Sequence, residues 1–172
     1  MTDAGVFSRG EVDTGTQVLL RSLPEEMAGR VLDLGCGWGP VGVSVGKKYP
    51  ACRVMMSDVN ERALDLARKN ARENGVDAPC VRSDGLENIQ GDFDFILTNP
   101  PIRAGKQVIY ALFAQCAGRL RENGEMYLVI RRQQGAESAM KYLKTIFEAA
   151  DTIEKSGGFH VIRCRGGKTN DL

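Results

Sequence analysis

The chain has 172 residues, of which 42% are hydrophobic and 26% are charged, and its formal net charge is +1. This length and composition fit one globular domain with a full core, and they exclude an intrinsically disordered chain. No apolar run approaches the roughly 18 residues of a transmembrane helix, and the opening letters MTDAGVFSRG lack the pattern of a signal peptide. We therefore expect a single domain over residues 1–172, a cytoplasmic location and no membrane partner.

The first half of the chain alternates segments typical of strands and of helices. The letters RVLDL, at residues 30–34, predict a buried strand, which the glycine-rich letters GCGWGP and a helix over roughly residues 41–49 follow. A second strand is predicted for CRVMMSD. A helix is predicted for NERALDLARKNARENG, because its small apolar residues recur at helical spacing and the pair Asn74-Gly75 is typical of a helix end.

The second half continues this alternation and ends in a hairpin. Strands are predicted for PCVRSDG and FDFILTN, a helix for residues 106–121 with its end signal at Asn123-Gly124, and a fifth strand for EMYLVIR. A helix over residues 136–149 follows. The last two strands, DTIEKS and FHVIRC, meet across Gly157-Gly158, which predicts an antiparallel hairpin.

This order of elements predicts an α/β fold. Strands that alternate with helices run parallel and are joined by right-handed crossovers, whereas a two-residue connection reverses the chain. We expect a mostly parallel, seven-stranded sheet with a C-terminal antiparallel hairpin strand and helices on both faces. The arrangement resembles the Rossmann-like class I S-adenosylmethionine-dependent methyltransferases, while a dinucleotide dehydrogenase ends with parallel strands.

The loop after the first strand, DLGCGWGP, is suited to bind a nucleotide-containing cofactor. Glycines let a ligand approach the backbone, and the helix that follows begins with free N–H groups. Gly37, Gly39 and Gly42 match the dinucleotide fingerprint, which fits NAD or S-adenosylmethionine. S-adenosylmethionine is favoured because Gly35 already follows the strand and Pro40 stands where a pyrophosphate loop starting at Gly35 would need its third glycine.

Three aspartates follow neighbouring strands of the predicted sheet. Asp33 ends the first strand, Asp58 ends the second and Asp84 follows the third. Because ligands of open parallel sheets bind beyond the carboxyl ends of the strands, we expect all three around one cofactor. Asp58 would accept hydrogen bonds from the ribose, Asp84 from the adenine amino group, and Asp33 would orient the methionine ammonium. The remaining residues predicted to bind cofactor at these strand ends are Gly35, Cys36, Gly37, Gly39, Val59, Gly85 and Asn99.

The fourth strand delivers Asn99 and a doubled proline to the same edge. The lone pair of an amine conjugated to a base ring is delocalised, so such an amine is a poor nucleophile. The side-chain oxygen of Asn99 and the carbonyl of Pro100 would hold the two amine hydrogens and turn the lone pair toward the methyl donor. No base is required, since the proton becomes acidic once the nitrogen is methylated.

The chain has five cysteines and one histidine, which limits other chemistry. The cysteines form no CxxC pair, so we expect reduced thiols. With His160 as the sole histidine, we expect no metal site and no Ser-His or Cys-His catalytic pair.

Four stretches of the chain together resemble the methyltransferase-small family: GVFSRGEVDTGTQVLL, VLDLGCGWGPVGV, SDVNERALDLARKN and ILTNPPIRAGK. The resemblance covers nearly the whole chain and is to the branch with ribosomal RNA small-subunit methyltransferase C and its single-domain bacterial relatives. It implies S-adenosylmethionine as cofactor and a guanine exocyclic amine in 16S ribosomal RNA as acceptor. It also implies that residues 1–22 cover the cofactor, with Phe7, Asp13, Gly15 and Thr16 at its methionine end.

The sequence departs from this family in two places. Relatives usually carry further residues ahead of GVFSRG, whereas here Met1 stands just before it, as in a shortened or a naturally short form. Many amine-methylating relatives also place an aromatic residue after the two prolines, where it stacks on a flipped base. Ile102 offers only apolar contact there, next to Pro101.

Several basic residues are expected at the same edge of the sheet, namely Arg103, Lys106, Arg131, Arg132 and Lys155. They would contact RNA phosphates, or they are ordinary solvated surface cations. A folded ribosomal particle or a homodimer would widen the contact surface.

Other functions stay open from the sequence alone. The acceptor could be a protein glutamine amide, an adenine amine or a small molecule, all of which could meet Asn99 in the same way. The chain could also be a non-catalytic cofactor-binding module, which the intact Asn99-Pro100-Pro101 disfavours, or a nicotinamide enzyme.

Overall fold

Seven strands form one mixed sheet in the computed structural model, which describes residues 13–168. The strands are β1 (Gly29–Leu34), β2 (Cys52–Asp58), β3 (Cys80–Arg82), β4 (Phe93–Thr98), β5 (Leu120–Arg131), β6 (Phe147–Ser156) and β7 (Phe159–Gly167). Their order across the sheet is β3-β2-β1-β4-β5-β7-β6. Neighbouring strands among β1 to β5 pair in parallel, and β7 runs antiparallel to both of its neighbours. The predicted fold class is confirmed.

Helices cover both faces of this sheet. Within the described residues they are α1 (Thr14–Arg21), α2 (Pro40–Lys48), α3 (Glu61–Glu73), α4 (Lys106–Ala117) and α5 (Ala136–Ile146). The first three helices contribute to one hydrophobic core, and α4 and α5 contribute to the other. Because side chains alternate along a strand, β1 feeds both cores, with Val31 in the first and Leu32 in the second.

Two predicted helix ends are wrong, because in both places the next strand begins before the predicted end of the helix. The helix predicted over residues 106–121 ends at Ala117, and residues 120–124 belong to β5. Leu120 pairs with Phe93 of β4, and the predicted end signal at Asn123 is a left-handed residue (φ 67°) where the β4–β5 register shifts. Pairing with a distant strand has overridden the local helical pattern.

Strand pairing also shortens the helix predicted over residues 136–149. It ends at Ile146, because Phe147 begins β6 and pairs with Gly167 of β7. The hairpin itself lies where the sequence predicts it, with Gly157 and Gly158 between β6 and β7 at positive φ.

A leucine truncation tests the second core. Leu143 of α5 is fully buried, so Leu143→Ala should lower the free energy of unfolding by about 2–5 kcal/mol through lost burial and a residual cavity. The matched control is Leu66→Ala in α3, where the side chain is 42% exposed, and its effect should stay within about 0.5 kcal/mol. Urea unfolding monitored by circular dichroism measures both, and equal losses would contradict the packing described for α5.

Candidate active site

Two adjoining clefts lie at the carboxyl ends of the central strands. The larger has a volume of about 370 Å³, and Gly35, Asp58, Asp84 and Pro101 are among its walls. The smaller has a volume of about 190 Å³ and lies between the glycine loop and the start of α1. Gly35 and Asn99 line both clefts, so an elongated ligand can extend from one to the other.

The glycine loop presents bare backbone to these clefts. Gly35 and Gly37 have positive φ angles of 71° and 58°, and a Cβ atom built on either would meet nothing within 4 Å. Gly39 differs, because its Cβ would lie 3.3 Å from Ala67 of α3. Gly35 and Gly37 therefore leave room for a ligand, while Gly39 allows close packing of the loop on α3 and lines neither cleft.

Cys36 lies between the two open glycines and fixes the loop to the sheet. Its backbone N–H donates to the Ser57 carbonyl at the end of β2 (2.8 Å). Its thiol is buried, and that burial raises the pKa far above the ordinary cysteine value, so the thiol stays neutral. Cys36 thus lines the smaller cleft as an apolar group.

Asp33 is a buried carboxyl group in the wall of the smaller cleft. Only 3% of the residue is exposed, and one carboxylate oxygen accepts a hydrogen bond from Gly42 N–H at 2.9 Å. Burial raises its pKa to about 7, against the lowering effect of that hydrogen bond and with a smaller contribution from the Asp58 charge. Asp33 can therefore exchange a proton near neutral pH.

Asp58 ends β2 in a more polar setting. Its two oxygens accept hydrogen bonds from Gly37 N–H (2.8 Å) and Asn60 N–H (2.9 Å). A carboxylate has further lone pairs, so each oxygen can accept another hydrogen bond from a ligand. Val59, which is 58% exposed, adds an apolar surface to the larger cleft.

The far wall of the larger cleft comes from the loop after β3 and from α4. Asp84 and Gly85 lie in the loop, as predicted from their position in the sequence. Sequence reasoning missed the side chains of α4 that face them, which are Val108, Ala111, Leu112 and Gln115. Their spacing places them on one face of the helix, and this periodicity is the sequence signal that could have identified them. Gln115 also ties the loop to α4 by accepting from Leu86 N–H (3.1 Å).

Asn99 stands where the two clefts meet, just after β4. Its side-chain Nδ2 donates to Asp13 Oδ2 at 3.0 Å. Within residues 13–168 no hydrogen bond uses Asn99 Oδ1 or the Pro100 carbonyl. Thr98 Oγ1 donates to the Leu34 carbonyl (3.0 Å) and so holds the end of β4 against β1. Asn99 Oδ1 therefore remains available at the junction of the clefts, whereas Pro100 is buried and lines neither cleft.

The start of α1 closes the smaller cleft. Asp13 and the buried Thr16 both line it, while Gly15 packs against the ring of Phe159. Phe7, which the family resemblance also placed here, lies outside the described residues.

The residues predicted to touch a substrate lie at the same edge but outside the clefts, apart from Pro101. Ile102 is half-buried against the second core and lines neither cleft. Arg103 lies in the same short turn as Ile102, and Lys106 begins α4.

The remaining two predicted substrate contacts lie at the end of β5. Arg131 sits over the ring of Phe159, 4.7 Å from its centroid. Arg132 follows it, and its side chain is 3.8 Å from Glu137. All four basic residues are solvent-exposed.

Residues 13–168 contain no group of metal ligands, no membrane-spanning helix and no disulfide. No three side chains among the histidines, cysteines and acids of that range are grouped as ligands of a metal ion. No helix in it has both the length and the apolar character needed to cross a membrane. All five cysteines are free thiols.

Sequence comparison identifies relatives along nearly the whole chain. The family model of the methyltransferase small domain matches residues 1–163. The chain is 41% identical to the uncharacterized protein YbxB of Bacillus subtilis, covering 95% of this chain and 84% of that protein. It is 42% identical to ribosomal RNA small subunit methyltransferase C of Hahella chejuensis, covering 74% of this chain and 39% of that protein. The chain thus spans less than half the length of that methyltransferase C.

Solved structures of methyltransferases are also similar to this chain. A 16S rRNA N2 methyltransferase of T. Thermophilus, in complex with AdoMet and guanosine, is 27% identical with a TM-score of 0.82, over 93% of this chain and 45% of that chain. A methyltransferase of Pyrococcus furiosus, at 20% identity and a TM-score of 0.75 over 88% of this chain and 81% of that chain, shares the fold. The open glycine loop, the acids at the strand ends and these matches together show that the chain belongs to the methyltransferase small domain family.

Proposed function

We propose that the chain transfers a methyl group from S-adenosylmethionine to the exocyclic amine of a guanine in 16S ribosomal RNA. The observation that carries the proposal is Asn99 at the junction of the two clefts, where no hydrogen bond within residues 13–168 uses its Oδ1. The neighbouring Pro100 carbonyl is likewise unused in that range, but Pro100 is buried and lines neither cleft, so its contact with the amine belongs to the proposal. The relatives named ribosomal RNA small subunit methyltransferase C, and the solved 16S rRNA N2 methyltransferase with guanosine, support the choice of acceptor.

The larger cleft fits the adenosine half of this cofactor. Its apolar side chains Val59, Val108 and Leu112 can cover an adenine ring, and Asp84 can accept from the adenine amino group. Asp58 keeps lone pairs for the ribose hydroxyls. Ser57 also contributes to this wall, and its buried Oγ has no hydrogen-bond partner among the described residues.

The smaller cleft fits the methionine half. Gly35 and Gly37 allow close approach to the backbone, and Asp33 supplies a carboxyl group for the ammonium. When bound, S-adenosylmethionine supplies an electrophilic methyl group on a cationic sulfonium. Because Gly35 and Asn99 line both clefts, that methyl group would lie next to Asn99.

Asn99 and Pro100 would prepare the acceptor amine. Two fixed oxygens hold the two N–H groups, and this directs the nitrogen lone pair into the cleft. Positive charge develops on the nitrogen as the N–C bond forms and the S–C bond breaks, and both oxygens stabilise that charge. The methylated nitrogen then loses a proton to water, so the site needs no histidine.

Basic residues follow the ends of β4 and β5, the strand before Asn99 and its neighbour. Thr98 is level with Leu128 in β5, so Arg131 reaches beyond Asn99 by about two residues, or roughly 7 Å, one strand away. Arg103 and Lys106 follow Asn99 by four and seven residues along the chain. An RNA strand that presents a base to Asn99 would therefore pass its phosphates near these cations.

A labelling experiment tests this function. The protein is incubated with radiolabelled S-adenosylmethionine and, separately, with unmodified small ribosomal subunits, naked 16S ribosomal RNA and ribosome-free protein extract. We expect label in the subunit or the RNA, at the N2 atom of a guanine. Arg131→Ala and Arg132→Ala should raise KM for that RNA without changing affinity for S-adenosylmethionine. Label in protein alone would overturn the RNA assignment.

Removal of the Asn99 side chain tests the catalytic site. Asn99→Ala should lower kcat on the order of a hundredfold, because one of the two transition-state acceptors is lost, and leave cofactor affinity nearly unchanged. Asp58→Ala should show the opposite pattern and chiefly weaken cofactor binding. Gln90→Ala, in an exposed loop, serves as the matched amide control. Single-turnover kinetics and calorimetry separate these effects, and a full rate for Asn99→Ala would contradict the assignment.

The pKa of Asp33 predicts a pH-dependent cofactor affinity. Its pKa near 7 means that Asp33 is neutral in more acidic solution and charged above that pH. Only the carboxylate attracts the methionine ammonium, so binding should strengthen by up to about tenfold per pH unit between about pH 5.5 and 7, with release of a proton. The ligand's own α-amino group titrates above this window.

Calorimetry in buffers of different ionisation enthalpy measures both the affinity and the released proton. Asp33→Asn should bind more weakly and lose this pH dependence. Equal affinity of the unmodified protein at both ends of the window would rule out ionisation of Asp33 on binding.

A further inference from the structure

We propose that Asp13 is a positioning residue for methyl transfer, which fixes the side-chain amide of Asn99 with its oxygen toward the acceptor amine. The effect of Asp13 on catalysis rests on the proposed function, whereas its hydrogen bond to Asn99 does not. The two residues are 86 positions apart in the chain, and a 3.0 Å hydrogen bond joins Asn99 Nδ2 to Asp13 Oδ2.

The chemistry of the two side chains determines which way the amide faces. An ionised carboxylate only accepts hydrogen bonds, so it can pair with Asn99 Nδ2 and would repel Asn99 Oδ1. Rotation of an asparagine amide by half a turn is otherwise a small change, because χ2 has broad, roughly two-fold preferences. In the rotated state, Asn99 would present a donor to the N–H groups of the acceptor. Asp13 thus selects the one orientation that can bind an amine.

Asp13 is itself held by the fold. It is the N-cap of α1, and its other oxygen accepts from Gly15 N–H at 3.1 Å. That helix is fixed by the buried side chains Val18 and Leu19 and by Gly15, where a Cβ atom would lie 2.8 Å from the Phe159 ring. The carboxylate therefore extends from a docked helix and has both oxygens engaged.

The charge of Asp13 adds to this geometric effect. Methyl transfer moves positive charge from the sulfonium sulfur onto the acceptor nitrogen. A carboxylate hydrogen-bonded to the far end of the Asn99 amide polarises it and makes Oδ1 a stronger acceptor as that charge develops. The effect belongs to the transition state, so it should appear in kcat and leave KM largely unchanged.

Asp13→Asn is the discriminating variant. Asparagine caps a helix about as well as aspartate, so α1 should remain intact. The new amide can cap the helix with its oxygen and donate from its nitrogen, which would favour the rotated orientation of Asn99. Asp13→Ser also keeps a capping oxygen but is too short to reach Asn99. Asp77→Asn, at an exposed loop position, is the matched control for the loss of charge.

The contact can be measured without any substrate. In proton–nitrogen correlation spectra, the Asn99 side-chain pair is identified by its loss in Asn99→Ala. We expect one of its two protons to be shifted downfield and protected from exchange in the unmodified protein and in Asp77→Asn. Asp13→Asn and Asp13→Ser should both abolish that protection. An Asn99 signal that is the same in all four proteins would overturn the inference.

The kinetic measurements use the acceptor that is methylated in the labelling experiment. Asp13→Asn should lower kcat on the order of tenfold, with unchanged melting temperature and cofactor affinity, and should add less than about twofold in an Asn99→Ala background. Additive losses, or a loss confined to cofactor affinity, would instead make Asp13 a cofactor-covering residue. If no guanine takes label, the proposed function fails, and the spectra still decide whether Asp13 orients Asn99.

Discussion

The register of β1 between β2 and β4 is the constraint on which the rest of the site depends. Leu34 is level with Ser57 on one side and with Thr98 on the other, so the glycine loop, Asp58 and Asn99 all leave the sheet at one height. A slip of one residue would turn Asp33 to the opposite face and separate it from Gly42 on α2. The hydrogen bond from Thr98 to the Leu34 carbonyl, between buried groups, helps to hold this register.

The carboxyl groups of Asp33 and Asp58, at adjacent strand ends, lie in different environments and therefore suit different roles. Asp33 is buried and accepts from the Gly42 N–H, and its burial raises the pKa to about 7, so its charge can respond to a bound cation. Asp58 is half-exposed and accepts two backbone N–H groups while keeping lone pairs for hydroxyls. In the proposed chemistry, oxygen acceptors prepare the amine and the cations near Asn99 suit a phosphate backbone, so the same edge would serve cofactor, base and RNA strand.

The sequence was informative wherever function depends on a short local pattern. The open glycines, Asp58 and the Asn99-Pro100-Pro101 turn could be placed because each lies at or just after the end of a strand of a parallel sheet. Features made by distant partners could not be predicted. Phe147 reads as the last apolar residue of a helix until its pairing with Gly167 is known. The bond between Asp13 and Asn99 joins residues far apart in the chain, and the wall on α4 depends on how that helix packs.

The most direct test is a crystal structure of the protein with S-adenosylhomocysteine and guanosine. The proposed chemistry predicts that Asn99 Oδ1 and the Pro100 carbonyl both lie about 3 Å from the guanine N2 atom, with Asn99 Nδ2 still on Asp13. The N2 atom should also face the sulfur across the junction of the two clefts. A guanosine whose N2 atom contacts neither oxygen, in a complex whose cofactor occupies both clefts, would contradict the account of how this site methylates an amine.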